Sequence, residues 1–308
     1  MMDIYLPIAE VSVNAPLLVA LGLAVGFVSG MFGIGGGFLM TPMLVFLGVP
    51  PAVAVASMSN HVAASSMSSV IAYGRRRAVD VRMGAVLAAG GIVGAFLGVE
   101  LFRLLRLLGQ ADLVVAVSYL LFLSVIGGLM LIESLGAILR RRRGEPQPAR
   151  RDRRPPWLYG LPLKMRFPRS RLYISVIPPL LLGAFVGVLS AIMGVGGGFV
   201  LVPAMVYVLR MPAGVVVGTS LLQIIITTAL IGVLQAGRNQ TVDVVLATLL
   251  LVGGIVGAQY GARASARFRA EELRAVLALI VLLVGLRMGL GLFIAPDEPF
   301  VLMQGAAG

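Results

Sequence analysis

Gly26-Phe-Val-Ser-Gly-Met-Phe-Gly-Ile-Gly-Gly-Gly-Phe38 is echoed 161 residues later by Gly187-Val-Leu-Ser-Ala-Ile-Met-Gly-Val-Gly-Gly-Gly-Phe199. At the same offset Pro42 matches Pro203, Pro51 matches Pro212, Ser59 matches Ser220 and Ser66 aligns with Thr227. With a shift of two, Val79-Asp80 matches Val242-Asp243, and Gly90-Gly-Ile-Val-Gly-Ala95 is identical to Gly253-Gly-Ile-Val-Gly-Ala258. The chain is therefore a duplication, and the fold has to be read one half at a time.

Outside the glycine runs the chain is apolar. Of its 308 residues 59% are hydrophobic and 12% charged, against roughly 25% charged in soluble domains. Runs such as Leu17 to Phe32, Met83 to Phe102, Leu113 to Ile132 and Leu273 to Ala295 approach or exceed the ~20 residues a helix needs to cross hydrocarbon. Each half divides into five apolar segments, 17–33, 38–48, 53–73, 83–102 and 112–138, then 172–193, 199–209, 212–236, 244–262 and 273–295. The second of each set is too short to span. The expected fold is an all-α polytopic membrane protein, with broken or re-entrant helices at the glycine motifs. Residues 1–138 form the first transmembrane repeat, 139–171 a basic cytoplasmic linker and 172–308 the second repeat.

An odd number of crossings per half makes the repeats inverted. The basic residues test that arrangement, because short cytoplasmic loops are enriched in Lys and Arg. With the N-terminus outside, 21 of the 25 basic residues fall inside; Arg103, Arg106 and Arg238 fall outside, and Arg287 lies in the last helix. The net charge of +12 thus reports topology, and no nucleic-acid partner is expected. The linker, with Arg140 to Arg143 and a run of prolines, reads as a solvated connector or as a contact for anionic lipid. The first 16 residues carry no Lys or Arg, so the first helix is expected to remain rather than serve as a cleaved signal. Cysteine is absent, which excludes disulfides and thiolate chemistry.

Gly35, Gly36 and Gly37, with Gly196, Gly197 and Gly198, interrupt segments where lipid demands a continuous helix. Such breaks are tolerated inside protein or beside a water-filled cavity. Glycine permits positive φ, and backbone N–H groups at the start of the following helix suit an anion; close helix packing is the competing explanation. The stripes Gly90, Gly94, Gly98 and Gly253, Gly257, Gly261 recur every four residues and read as packing faces. After each break a helix carries polar groups among Val, Ile and Leu. Ser59, Asn60 and His61 in the first half, and Thr219, Ser220 and Gln223 in the second, are candidates to line a substrate path, or else to bond neighbouring helices. His61, the only histidine, could donate to substrate, take up a coupled proton or sit satisfied between helices. Arg287 is expected either to pair with Glu133 or to attract substrate. No cofactor or metal is expected.

The doubled pattern Gly-x-x-Ser-x-x-x-Gly-[Ile/Val]-Gly-Gly-Gly-Phe, the Pro four residues on, and Gly218-Thr-Ser220 resemble the TauE/SafE sulfite exporter family over nearly the whole chain outside the linker. The first copy departs from the family's usual Gly-Thr-Ser, having Ser57-Met-Ser59. The resemblance implies passage of sulfite, sulfoacetate or a similar anion across the bacterial inner membrane by a secondary transporter. An anion channel would use the same lining. An intramembrane hydrolase is disfavoured, since Ser29 lies outside a Gly-x-Ser-Gly pattern and no His-Glu-x-x-His occurs. The expected partners are the anion, membrane lipid and, in a homo-oligomer, other copies of the chain.

Overall fold

The computed structural model describes residues 3–32, 34–75, 78–142, 162–265 and 270–293. Gly33, the middle of the basic linker and the acidic tail after 293 lie outside the described residues. In the first half a hairpin of β1 (Asp3–Leu6) and β2 (Val11–Asn14) precedes five helices. These are α1 (Ala15–Phe32), α2 (Gly37–Phe46), α3 (Pro51–Arg75), α4 (Val81–Leu107) and α5 (Ala111–Arg142). The second half repeats the order: β3 (Lys164–Phe167), β4 (Leu172–Ser175), α6 (Ile177–Met193), α7 (Gly198–Tyr207), α8 (Ala213–Leu234), α9 (Val244–Ala264) and α10 (Ala270–Phe293). A π-helical turn, Gln235–Asn239, continues α8.

Among the described residues, five helical stretches are long and apolar enough to cross a membrane: Ala15–Phe32, Val81–Leu107, Ala111–Gly136, Gly214–Asn239 and Val244–Ala264. Helices α2 and α7, ten residues each, reach only about 15 Å at 1.5 Å per residue, half of a ~30 Å core. Helix α3 is long enough to cross, but its serines, Asn60 and His61 lower its hydropathy, and it hides them: Ser57, Ser59, His61, Ser65, Ser66 and Ser69 are buried.

The helices pack in reciprocal pairs: α1 with α9 and α4 with α6, α3 with α8, α5 with α10, α3 with α9 and α4 with α8. Small residues set the closest approaches. A Cβ on Gly22 would lie 2.5 Å from the Leu250 carbonyl oxygen, Gly26 faces Gly254, and Gly30 faces Ala258. Both numbers rise together, so α1 and α9 run parallel. Gly90 against Leu180, Gly94 against Ala184 and Gly98 against Val188 make α4 and α6 parallel as well. The glycine stripes are therefore packing faces, as their spacing indicates.

The hairpins are an addition to the all-helical expectation. They match at an offset of 161: Pro7 and Pro168 open the turns, and Glu10 (φ 54) and Arg171 (φ 51) close them in the left-handed region. Residues 164–175 thus extend ordered structure into the stretch read as linker, and α5 enters it from the other side, to Arg142. Each hairpin caps a helix of the other half. The Asp243 carboxylate accepts from Ile8 N at 3.0 Å and from Leu246 N at 3.0 Å, closing the first turn of α9. Asp80 accepts from Ser170 N at 2.8 Å, Ser170 Oγ at 2.7 Å and Met83 N at 3.2 Å, doing the same for α4. Both aspartates are buried and satisfied by charge-assisted bonds at a helix N-terminus.

Candidate substrate site at the paired helix breaks

The two breaks meet. Gly35 and Gly36 have φ of 83° and 69°, Gly196 and Gly197 of 74° and 72°, so residues bearing Cβ would be strained at all four. Gly36 and Gly197 then cap α2 and α7 in the left-handed conformation. A Cβ on Gly37 would lie 2.6 Å from the Gly194 carbonyl oxygen, and Gly198 abuts Ile34 of the first break. The equivalent rings of Phe38 and Phe199 are 6.2 Å apart. Two helix N-termini, each with a partial positive charge, are thus brought side by side in the buried interior.

Val62 of α3 and Ile224 of α8 close over this meeting point. A Cβ on Gly35 would be 3.1 Å from Val62 and 3.4 Å from Ile224; on Gly196 it would be 2.6 Å and 3.1 Å from the same two side chains. Val62 and Ile224 are therefore counterparts, at an offset of 162 rather than 161. The change arises in the turn after α2 and α7, where Gly48 (φ 86) and Arg210 (φ 57) hold the same left-handed position. One extra residue in the second turn shifts all of α8 relative to the identity alignment. The structure accordingly replaces the pairs Pro51–Pro212, Ser59–Ser220 and Ser66–Thr227 with Pro50–Pro212, Ser57–Thr219, His61–Gln223, Ser65–Thr227 and Ser66–Thr228.

The new register explains the first copy's departure from Gly-Thr-Ser. Thr219 Oγ1 accepts from Asp80 N at 2.9 Å, and Ser57 Oγ accepts from Asp243 N at 2.9 Å. Ser57 does in one half what Thr219 does in the other, freeing position 58 for the buried Met58.

His61 and Gln223 take equivalent places behind Val62 and Ile224: His61 lies directly on Gly254 of α9, and Gln223 faces Gly91 of α4, 2.9 Å from where a Cβ would be. Gln223 Nε2 donates to Thr227 at 2.9 Å. Both His61 nitrogens, Gln223 Oε1, Ser66 Oγ, and the Ser29 and Ser190 hydroxyls, which match at the offset of 161, are buried with no partner among the described residues. Buried polar groups without partners cost about 1–3 kcal/mol each, so this concentration around the breaks marks where a polar solute or water would be held.

The other candidates are already engaged. Ser59 donates to Val55 O at 3.4 Å and Ser220 to Val217 O at 2.8 Å, within their own helices. Asn60 is half-buried and presses its Oδ1 on Gly232 of α8. Arg287 is exposed, its guanidinium 5.0 Å from the Phe46 ring centroid. Tyr119 of α5, which no motif singled out, is buried and donates to Met193 O at 2.7 Å, tying α5 to the second break. The apolar cavity of about 140 Å³ lined by Phe32, Ile34, Phe199, Val202 and Pro203 adjoins the breaks, but no side chain lining it is a donor; the polar side chains beside Val62 and Ile224 have more of the chemistry for an anion. Among the described residues no cluster of His, Asp or Glu could hold a metal ion.

The family model described as Sulfite exporter TauE/SafE matches residues 18–288. A probable membrane transporter protein of Xylella fastidiosa (strain 9a5c) is 32% identical over 245 residues, covering 78% of this chain and 82% of its own. The probable membrane transporter protein YjnA of Bacillus subtilis is 27% identical over 243 residues, covering 78% and 86%. The Arabidopsis thaliana Sulfite exporter TauE/SafE family protein 3 is 32% identical over 123 residues, 39% of this chain and 26% of its own. No solved structure matches.

Proposed function

The chain belongs to the TauE/SafE sulfite exporter family, and from that premise we propose that it is a secondary transporter exporting a sulfur-containing or organic anion across the bacterial inner membrane. The observation that carries this reading is the meeting of two glycine breaks beneath Val62 and Ile224, whose chain neighbours His61 and Gln223 have polar atoms with no partner among the described residues. Backbone N–H groups, hydroxyls, an amide and an imidazole can replace an oxyanion's hydration, and none of them is a carboxylate that would suit a cation. In this reading the site binds and releases a solute, which the relatives' names as membrane transporters support.

The halves are inverted across the bilayer in this proposal. Within a half, α1 and α4 cross in opposite senses, so the parallel packing of α1 with α9, the fourth helix of the other half, is what inversion requires. The pattern is that of transporters whose paired broken helices form a midplane site. The closed state has Val62 and Ile224 over the breaks, and access comes from displacing them toward one side or the other.

Export needs no nucleotide, because an interior-negative potential drives an anion outward by about 2.3 kcal/mol per charge per 100 mV. Proteoliposomes loaded with sulfite, sulfoacetate or sulfate, under a potassium-diffusion potential with and without a pH gradient, test the reading. Net anion efflux responding to the potential is expected. If a cation or neutral solute moves while none of these anions does, the proposal is wrong.

A further inference from the structure

We propose that the cavity between the C-terminal turns of α3 and α9 is a second anion-binding site, a mouth that takes up a sulfonate, sulfite or phosphate-type group before it reaches the breaks. This rests on the transport reading for its purpose, though its binding chemistry is separable. The cavity has a volume of about 230 Å³ and is lined by Ser68, Ile71, Ala72, Arg75, Gln259 and Arg263. Ser68 Oγ donates to Ile255 O at 3.4 Å, holding the helices together at its inner end. Arg263 rests 5.9 Å from the Tyr260 ring centroid, which orients its fork. Among the described residues neither Arg75 nor Arg263 has a carboxylate partner. Two guanidiniums and an amide converging on one cavity supply donors for an oxyanion.

The repeat provides an internal comparison. At the offset of 163 that relates Gly91 to Gly254, the counterpart of Arg263 is Glu100. At that opposite end Glu100 pairs with Arg238 and lies 3.9 Å from Arg103, while Arg106 donates to Asn239 O at 2.8 Å. At the equivalent position one end thus carries a carboxylate paired with Arg238, and the other carries Arg263 with no carboxylate partner among the described residues. Basic residues that served only topology or the helix dipole would not require a shared cavity with a glutamine and a serine. The cavity's Ser68, Ala72 and Arg75 share one stripe of α3 with His61 and Ser65, at a 4-3-4-3 spacing that spans about 21 Å from end to end.

Free anion and anionic lipid headgroup share this chemistry, and two measurements on the purified full-length chain separate them. Binding of radiolabelled sulfoacetate by equilibrium dialysis is compared for the unaltered chain, Arg75→Gln/Arg263→Gln and Arg263→Glu at low and high ionic strength. Retention of phosphatidylglycerol is followed by native mass spectrometry. A mouth for free anion weakens sulfoacetate binding about tenfold in the double variant, further in Arg263→Glu, and flattens its salt dependence. A headgroup site instead leaves sulfoacetate affinity unchanged and loses retained lipid. Unchanged sulfoacetate binding and unchanged lipid retention in both variants, whether or not the unaltered chain binds sulfoacetate, would overturn the proposal. Failure of the transport reading is a separate result, absence of anion flux by the unaltered chain in proteoliposomes.

Discussion

Gly196 carries two constraints at once: a φ of 74° and a would-be Cβ 2.6 Å from Val62. Gly196→Leu, or Gly35→Leu opposite it, places a branched side chain between Val62 and Ile224, and is expected to abolish flux while the protein still inserts, as judged by membrane fractionation and flux in parallel. Ser57→Ala leaves the buried Asp243 N–H without its acceptor, which should cost about 1–3 kcal/mol; Thr219→Ala should cost the same at Asp80. Matching losses in thermal unfolding of the two variants would support the register that pairs them. His61→Gln makes the two halves alike at this position, so transport should persist within about tenfold, whereas His61→Leu removes the polar group and should lose it. The glycines were legible because their clustering inside apolar segments has few explanations. The pairing of Ser57 with Thr219 was not, because aligning by identity cannot detect one residue added in a turn. Asp80 and Asp243 were visible only as repeat markers, and Tyr119 has no counterpart in the second half to draw notice to it.

At the level of elements, the packing of α4 on α6 depends on backbone approach. A Cβ on Gly98 would meet Ala191 Cβ at 2.7 Å and the Val188 backbone at 2.9 Å, so Gly98→Ala must separate the helices and is expected to destabilise by about 1–3 kcal/mol. Gly128 in α5 has open space around its Cβ position; Gly128→Ala should be neutral or stabilising by up to about 1 kcal/mol through helix propensity. Thermal unfolding of both variants in detergent checks the contrast. The apolar runs announced the helices because hydrocarbon imposes a length on them. The hairpins gave no such signal: four-residue strands have too little periodicity, and their similarity at the offset of 161 reduces chiefly to Pro7 and Pro168. Their importance lies in a tertiary contact, the aspartate of the other half, which no local pattern encodes.

For the whole molecule, the inverted arrangement proposed above predicts that the two hairpins face opposite sides. Asp3, Ile8 and Glu10 of the first correspond to Lys164, Arg169 and Arg171 of the second, one element with its charge reversed. The positive-inside tendency then predicts the first hairpin outside and the second inside. A cysteine in place of Glu10 should react with an impermeant maleimide on intact cells, and one in place of Arg171 only after the membrane is opened; the natural chain has no cysteine to confuse the result. The central claim is that an anion passes between the halves at the breaks, under Val62 and one turn of α3 from Ser66, whose buried hydroxyl has no partner among the described residues. The direct measurement is modification of Ser66→Cys by a negatively charged methanethiosulfonate in proteoliposomes competent for sulfoacetate flux. The account expects the thiol to react from the aqueous phase and sulfoacetate to slow that reaction; a thiol that stays unreactive from both sides, or reacts equally fast with sulfoacetate present, while flux continues, would contradict it.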